Sequence, residues 1–350
     1  MYKADFKWPG GAYIAVVFNM SWETPPRSLG TEKVSPSALY RRAMRPVYET
    51  AFAETGGMQR LLDLWDRFNI QASSYADGLT VSLFPDLARE LTVRGHELIV
   101  QGWDHSSLWT MSAKEQAAVI RKTNDAFEQV TGKRATGFSS AGGHLTAETF
   151  SILAEQGFKY SCGLRNAEVP FIIPVGNRKL VGMTSYAVSD TRTTRGGTVR
   201  ETVDMWRDYF DALYEEGRRG YPKMLAYGTH PPLALGFRTK PLEELIRYVQ
   251  EKDKVWITTR DGIANWMLET YPDLDLSKFY PEAAASDRHY GLSIGLGGTE
   301  AEGEAMRFRV SAGSGNATNA KAAPSKRSKT APRKQQKASQ KKTSSRKAKR

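Results

Sequence analysis

Cysteine is almost absent from this chain: Cys162 is the single one in 350 residues. No intrachain disulfide can form, and a thiolate metal cluster is excluded. No apolar run is long enough to span a membrane. The opening stretch MYKADFKWPGGAYIAVVF lacks the layout of a signal peptide, so a soluble, cytoplasmic protein is expected. Acidic and large apolar residues are missing from the C-terminal end. Residues 311–350 hold 13 Lys/Arg and no Asp or Glu, so the rest of the chain carries 50 − 13 = 37 basic against 38 acidic side chains. The formal net charge of +12 therefore resides in the tail, and the remainder is close to neutral at −1. Such a tail cannot bury enough apolar surface to offset chain entropy and is expected to be disordered. It is either an arm that binds nucleic acid or another polyanion through phosphate contacts, or a solubilising extension. The expected division is a folded domain over 1–300 and a Lys/Arg-rich tail over 301–350.

What the first 270 residues do contain is a regular alternation. AYIAVVF (12–18) and IQASSYA (70–76) read as buried strands, with TGGMQRLLDLWDRFN (55–69) between them as an amphipathic helix. FPDLARELTVRGHELIVQG gives helix, glycine turn and third strand. The next helix opens on Ser112 with Glu115 three residues on, a capping-box spacing, and stops at Gly132. ATGF (135–138) is a strand, and LTAETFSILAEQGFKYSCG repeats the cycle from Thr146 to Gly157. After a less regular stretch (164–179) come KLVGMTSYAVSD as a strand and TVRETVDMWRDYFDALYEEG as a helix. KMLAYGTHPP, KPLEELIRYVQEKD, VWIT and RDGIANWMLET close the series. At least six strand–helix cycles with little room for hairpins predict a parallel sheet covered by helices, open or closed into a barrel. No glycine-rich dinucleotide fingerprint follows the first strand.

In a barrel the reactive residues sit just beyond strand C-termini. There the sequence places Asn19, Ser21 and Glu23; then Gln101, Asp104 and His105; then Ser139, Ser140 and His144. Asp190 and Arg192 follow the 180s strand, and His230 follows strand 223–228. Three of the five histidines lie immediately past predicted strand ends.

The order of these segments resembles the polysaccharide deacetylase (NodB-homology) superfamily over residues 8–270. The matching pieces are WPGGAYIAVVF, RGHEL with GWDH, TGKRATGFSSAG, LTAETFSILAEQGFKY, GTHPPLALGFR and KVWITTRDGIANW. The resemblance implies a distorted (β/α) barrel of about seven parallel strands. It also implies an amide hydrolase with a divalent metal on one Asp and two His. Here the first-motif carboxylates are Asn19 and Ser21, the first metal histidine is Gln101, and the third-motif Arg is Ser139. Three or four good ligands are needed, so no tightly bound metal is expected; Glu23 with His105 would make only a partial site. SWET resembles a run in the allantoinase-like, metal-independent branch and puts Glu23 at its late carboxylate. SYAVSDTRT and YFDALYEEG…PKMLAYGTH resemble that branch too, although it usually keeps a histidine at the place of Gln101.

The expected reaction is hydrolysis of a non-peptide C–N bond in an N-acetylated sugar or cyclic ureide. Glu23 is the candidate base and His230 the candidate acid. Gln101, which hydrogen-bonds without titrating, His105, Asp190 and Arg192 are candidates for substrate binding. Trp22, Trp103 and Trp109 either line the mouth or belong to the core. A silent barrel that binds carbohydrate or ureide is the rival reading, and a metal-dependent deacetylase is the third. Exposed barrel rims leave room for a homo-oligomer.

Overall fold

The first strand is longer than its apolar stretch predicts. In the computed structural model, which describes residues 6–23, 51–164, 168–185, 188–191 and 198–274, β1 runs from Ile14 to Trp22. Asn19 and Ser21 are therefore strand residues and only Glu23 lies past the end. The cause is non-local: Asn19–Trp22 pair in parallel register with Ser73–Ala76, which form β2. Arg192 and the basic tail fall outside the described residues.

The remaining strands are β3 (Glu97–Val100), β4 (Gly137–Phe138), β5 (Tyr160–Leu164), β6 (Phe171–Val175), β7 (Arg178–Thr184), β8 (Val188–Ser189), β9 (Lys223–Thr229) and β10 (Val255–Ile257). They form one ten-stranded sheet in the order β6-β7-β5-β4-β3-β2-β1-β9-β8, with β10 also on β1. Two strands share one edge of β1: β10 pairs with Ile14–Val16 and β2 with Asn19–Trp22. The path from β7 to β9 supplies seven parallel strands, which is the expected architecture. The sheet curls into a half-barrel, and β8 and β10 are short additions.

One expectation fails in the stretch 164–179. β6 and β7 form an antiparallel hairpin, turning at Gly176 with φ of 57°. Gly176–Asn177 is a recognisable two-residue hairpin signal, and Pro174 is tolerated because β6 is an edge strand, where a missing N–H costs no ladder bond. The supposed single strand through 180–190 is likewise two. β7 lies towards one flank of the sheet and β8 at the other.

Helices α1 (Met58–Arg67), α2 (Gly78–Leu83), α3 (Pro85–Val93), α4 (Ala113–Thr131), α5 (Ala147–Glu155), α6 (Val199–Arg218), α7 (Gly236–Gln250) and α8 (Arg260–Thr270) connect the strands. The predicted capping box is formed at α4: Ser112 accepts from the Glu115 N–H, the Glu115 carboxylate accepts from the Ser112 N–H, and Gly132 ends the helix at φ of 75°. Thr198 and Glu201 open α6 in the same way.

Alternation along the strands separates two cores. Even-numbered residues of β1 (Ile14, Val16, Phe18, Met20, Trp22) join the helix residues Leu61, Trp65, Phe127, Phe210 and Leu245. Odd-numbered residues Ala15 and Val17 join Tyr75, Ile99, Cys162, Val181 and Ala226 in an inner core that α8 completes. Period-two side chains thus put Asn19, Ser21 and Glu23 of the β1 segment on the inner face. Asp77, Gln101, Ser139 and His230 extend the inward-facing series of β2, β3, β4 and β9 by one step.

Candidate active site

The polar residues at the strand C-terminal ends form two histidine–carboxylate arrangements. The first is on β9. His230 follows Thr229 directly, and its Nδ1 lies 2.6 Å from Asp190 Oδ1, while its backbone N–H donates to Asp190 Oδ2 at 2.7 Å. Asp190 is buried and reaches this position because β8 runs parallel to β9, pairing Ser189 with Gly228. Burial alone would lower the His230 pKa. The Asp190 hydrogen bond and charge outweigh it, with help from Glu23 and against His105, and the imidazole titrates above its ordinary value.

The second arrangement centres on His105. Its Nε2 lies 3.6 Å from Glu23 Oε2 and its Nδ1 lies 3.7 Å from Asp77 Oδ2. The loop after β3 bends sharply, with positive φ at Gly102 (121°) and at His105 itself (62°). Glycine takes such angles freely; histidine does so at a cost of about 1–2 kcal/mol. Burial would again lower this imidazole, but Asp77 and Glu23 prevail and raise its pKa to about 9, so the ring is cationic at neutral pH. Burial in turn pushes the Asp77 carboxyl up to about 6, although His105 opposes the rise.

Gln101 links this arrangement to β1. Its Nε2 donates to Glu23 Oε1 at 2.8 Å, which fixes the orientation of the amide. The carbonyl oxygen Oε1 is buried and has no hydrogen-bond partner, as are Ser21 Oγ and both Asp77 carboxylate oxygens. Asn19, by contrast, is fully engaged. It donates to the Tyr227 carbonyl at 3.0 Å and accepts from Arg260 Nε at 2.7 Å.

Of the residues singled out in the sequence, Glu23, Gln101 and His105 come together, and Asp190 meets His230. Trp22 is buried in the outer core and donates to Glu54. Trp103 carries the Lys122 ammonium 3.3 Å from its ring centre and lines a surface hollow of about 490 Å³ with Arg121, Asp125 and Gln129. Trp109 is half exposed beside His144. His96 is structural: its Nδ1 accepts from the Ala72 N–H.

Two charged residues escaped sequence reasoning. Asp77 follows β2 directly, so the strand-end rule applied to that strand would have found it. Arg260 carried no such signal, because a basic residue opening a helix ordinarily faces solvent.

The donors were tested against the divalent metal that the resemblance implies. Ser21 and Gln101 are neutral where an Asp and a His are required, and Asn19 is consumed at both ends. Among the described residues no group of three His, Cys, Asp or Glu is arranged to hold a metal ion. This donor set does not fit the metal.

Residues 51–161 match the family model described as polysaccharide deacetylase. Among curated proteins, the peptidoglycan deacetylase of Helicobacter pylori is 28% identical over 127 residues, 36% of this chain and 43% of that protein, so the match spans under half of the relative's length. A Mycobacterium smegmatis crystal structure, named among polysaccharide deacetylases, superposes with a TM-score of 0.66 at 25% identity, covering 75% of this chain and 92% of its own. The structure titled Puue allantoinase gives 0.67 at 23% identity, covering 76% and 93%, a likeness of fold. The match over residues 51–161, the curled parallel sheet and the polar residues gathered at its C-terminal rim make this chain similar to the polysaccharide deacetylase family.

Proposed function

We propose that the protein hydrolyses a non-peptide carbon–nitrogen bond, with His230 as the general acid and Glu23 as the general base. The observation that carries this reading is the 2.6 Å pair between His230 Nδ1 and Asp190 in a rim that also holds Glu23. Asp190 holds the imidazole through Nδ1, and Nε2 is the nitrogen assigned to proton transfer. Glu23 takes a proton from water, and the resulting hydroxide adds to the carbonyl carbon. The oxyanion that forms is met by the His105 imidazolium, a fixed positive charge in a site of low dielectric. When the C–N bond breaks, His230 gives its proton to the departing nitrogen.

The substrate class is an N-acetylated sugar or a cyclic ureide, and Gln101 favours the second. With one N–H of its amide held by Glu23, Gln101 keeps a carbonyl oxygen without a hydrogen-bond partner. An N–H donor on the ligand would satisfy that oxygen. An acetamide offers one N–H and a cyclic ureide several. The likeness to the allantoinase fold and the motif SYAVSDTRT support this branch.

Purified full-length protein assayed on acetylglucosamine oligomers and on cyclic ureides tests the reading. Turnover is expected to survive dialysis against a chelator and to drop at least ~100-fold in His230→Ala. Unchanged turnover in His230→Ala overturns the assignment of the acid.

A further inference from the structure

Arg260 opens α8, yet its side chain is fully buried inside the half-barrel. Burying a guanidinium costs several kcal/mol unless its donors are met, so its partners show what it is for. Nε donates to Asn19 Oδ1 at 2.7 Å, one terminal nitrogen to the Thr184 carbonyl at 2.6 Å, and the other to the Ser185 carbonyl. The Tyr75 ring lies 5.6 Å from the guanidinium carbon.

The partners come from the end of β7, at one flank of the sheet, and from β1, which pairs with β9 towards the other. Thr184 ends β7, which the order β7-β5-β4-β3-β2-β1-β9-β8 separates from β8 by the whole curl. Yet β8 begins at Val188, and four peptide steps span at most about 15 Å. The end of β7 and the start of β8 are therefore close together although the strand order sets them far apart. Asp190 follows β8 directly and meets His230. Arg260 grips the end of β7 through two successive carbonyls. Through Asn19, which also donates to the Tyr227 carbonyl, it grips β9 three residues before His230. One planar fork thus ties together the two segments whose relative position sets the histidine–aspartate distance.

We propose that Arg260 is a positioning residue. It fixes Thr184 and Ser185 against β9, which limits where β8 begins and so holds Asp190 on His230, without touching substrate. This rests on the reading of His230 as the acid, but its test does not need turnover. Asp190, Glu23 and His105 act on His230, whereas the side chain of Arg260 bonds to Asn19, Thr184 and Ser185.

The experiment is an NMR titration of the His230 ring in full-length protein, with circular dichroism reporting the fold. In Arg260→Gln the His230 midpoint is expected to fall by about one pH unit, because burial remains while the Asp190 contact loosens. Asp190→Asn should produce the same fall. Arg260→Lys, which keeps the charge but not the fork, should fall less and decides the matter if the Gln variant does not fold. An unchanged midpoint in a folded Arg260 variant overturns the proposal. So does a fall in the Arg260 variant with none in Asp190→Asn, since Asp190 would then not be the route. If the midpoint moves as expected while no amide in the panel is hydrolysed, the functional reading fails and the positioning role stands.

Discussion

Asp190 and Asp77 are both buried carboxylates set against a histidine, and their geometry assigns them different work. Asp190 bonds its histidine at 2.6 Å and also accepts the histidine's own backbone N–H, so ring and main chain are located together. Asp77 stands 3.7 Å from His105, beyond hydrogen-bond length, and acts on it as a charge. Replacing Asp190 by Asn keeps the shape but removes the charge that raises the His230 pKa. The expected outcome is a kcat lowered by roughly 10²–10⁴-fold, with the alkaline limb of the pH–rate profile moved to lower pH. A profile that keeps its alkaline limb would show that Asp190 does not tune the acid. Gln101 had two readings in the sequence, substrate ligand or filler. Its bond to Glu23 orients the amide so that the buried carbonyl oxygen is the group left to meet a donor.

Among the elements, the segment leading into α1 bears on the site from behind. A Cβ on Gly57 would stand 1.9 Å from the carbonyl oxygen of Pro231, the residue after His230. The backbone approach is thus closed to any side chain, and Gly57→Ala must push the His230–Pro231 turn out of place. Overpacking of this kind costs about 1–3 kcal/mol. The variant is expected to show a lower urea midpoint and a weakened His230–Asp190 contact, visible as a lower His230 midpoint by NMR. Full stability in Gly57→Ala would mean that the turn yields more easily than its packing implies. The glycine was readable as part of the helical stretch 55–69, but its function at this contact was not, because Pro231 is far away in sequence. The same holds for β1: its apolar stretch was legible, while its extension through Trp22 came from pairing with β2.

For the whole molecule, the consequence to measure is pH dependence. The folded His105 pKa of about 9 lies above the ordinary 6.5. Its protonation therefore stabilises the fold fully below pH 6.5, and that contribution is lost as pH rises through 9. Asp77, raised to about 6 from 3.8, acts with the same sign at lower pH. Its contribution is complete below pH 3.8 and lost as pH rises through 6. Stability should thus decline by on the order of 2 kcal/mol between pH 6.5 and 9, read from urea unfolding. His105→Gln should flatten that decline; a slope that persists in the variant would assign it to another group.

Local patterning by itself determined the class of fold, the helix caps at Ser112 and Thr146, and the level at which polar residues collect. Those depend on periodicity and on short-range hydrogen bonds, which the order of residues encodes directly. It also pointed to Glu23, His105 and His230, because strand ends are legible wherever an apolar run stops. Tertiary structure decided which of these meet and with what partner. β8 pairs with β9, so Asp190 lands on His230, and a helix-opening arginine turns inward to bond Asn19 and the end of β7. Such contacts join residues between 40 and 241 positions apart, and no local pattern specifies an encounter at that separation.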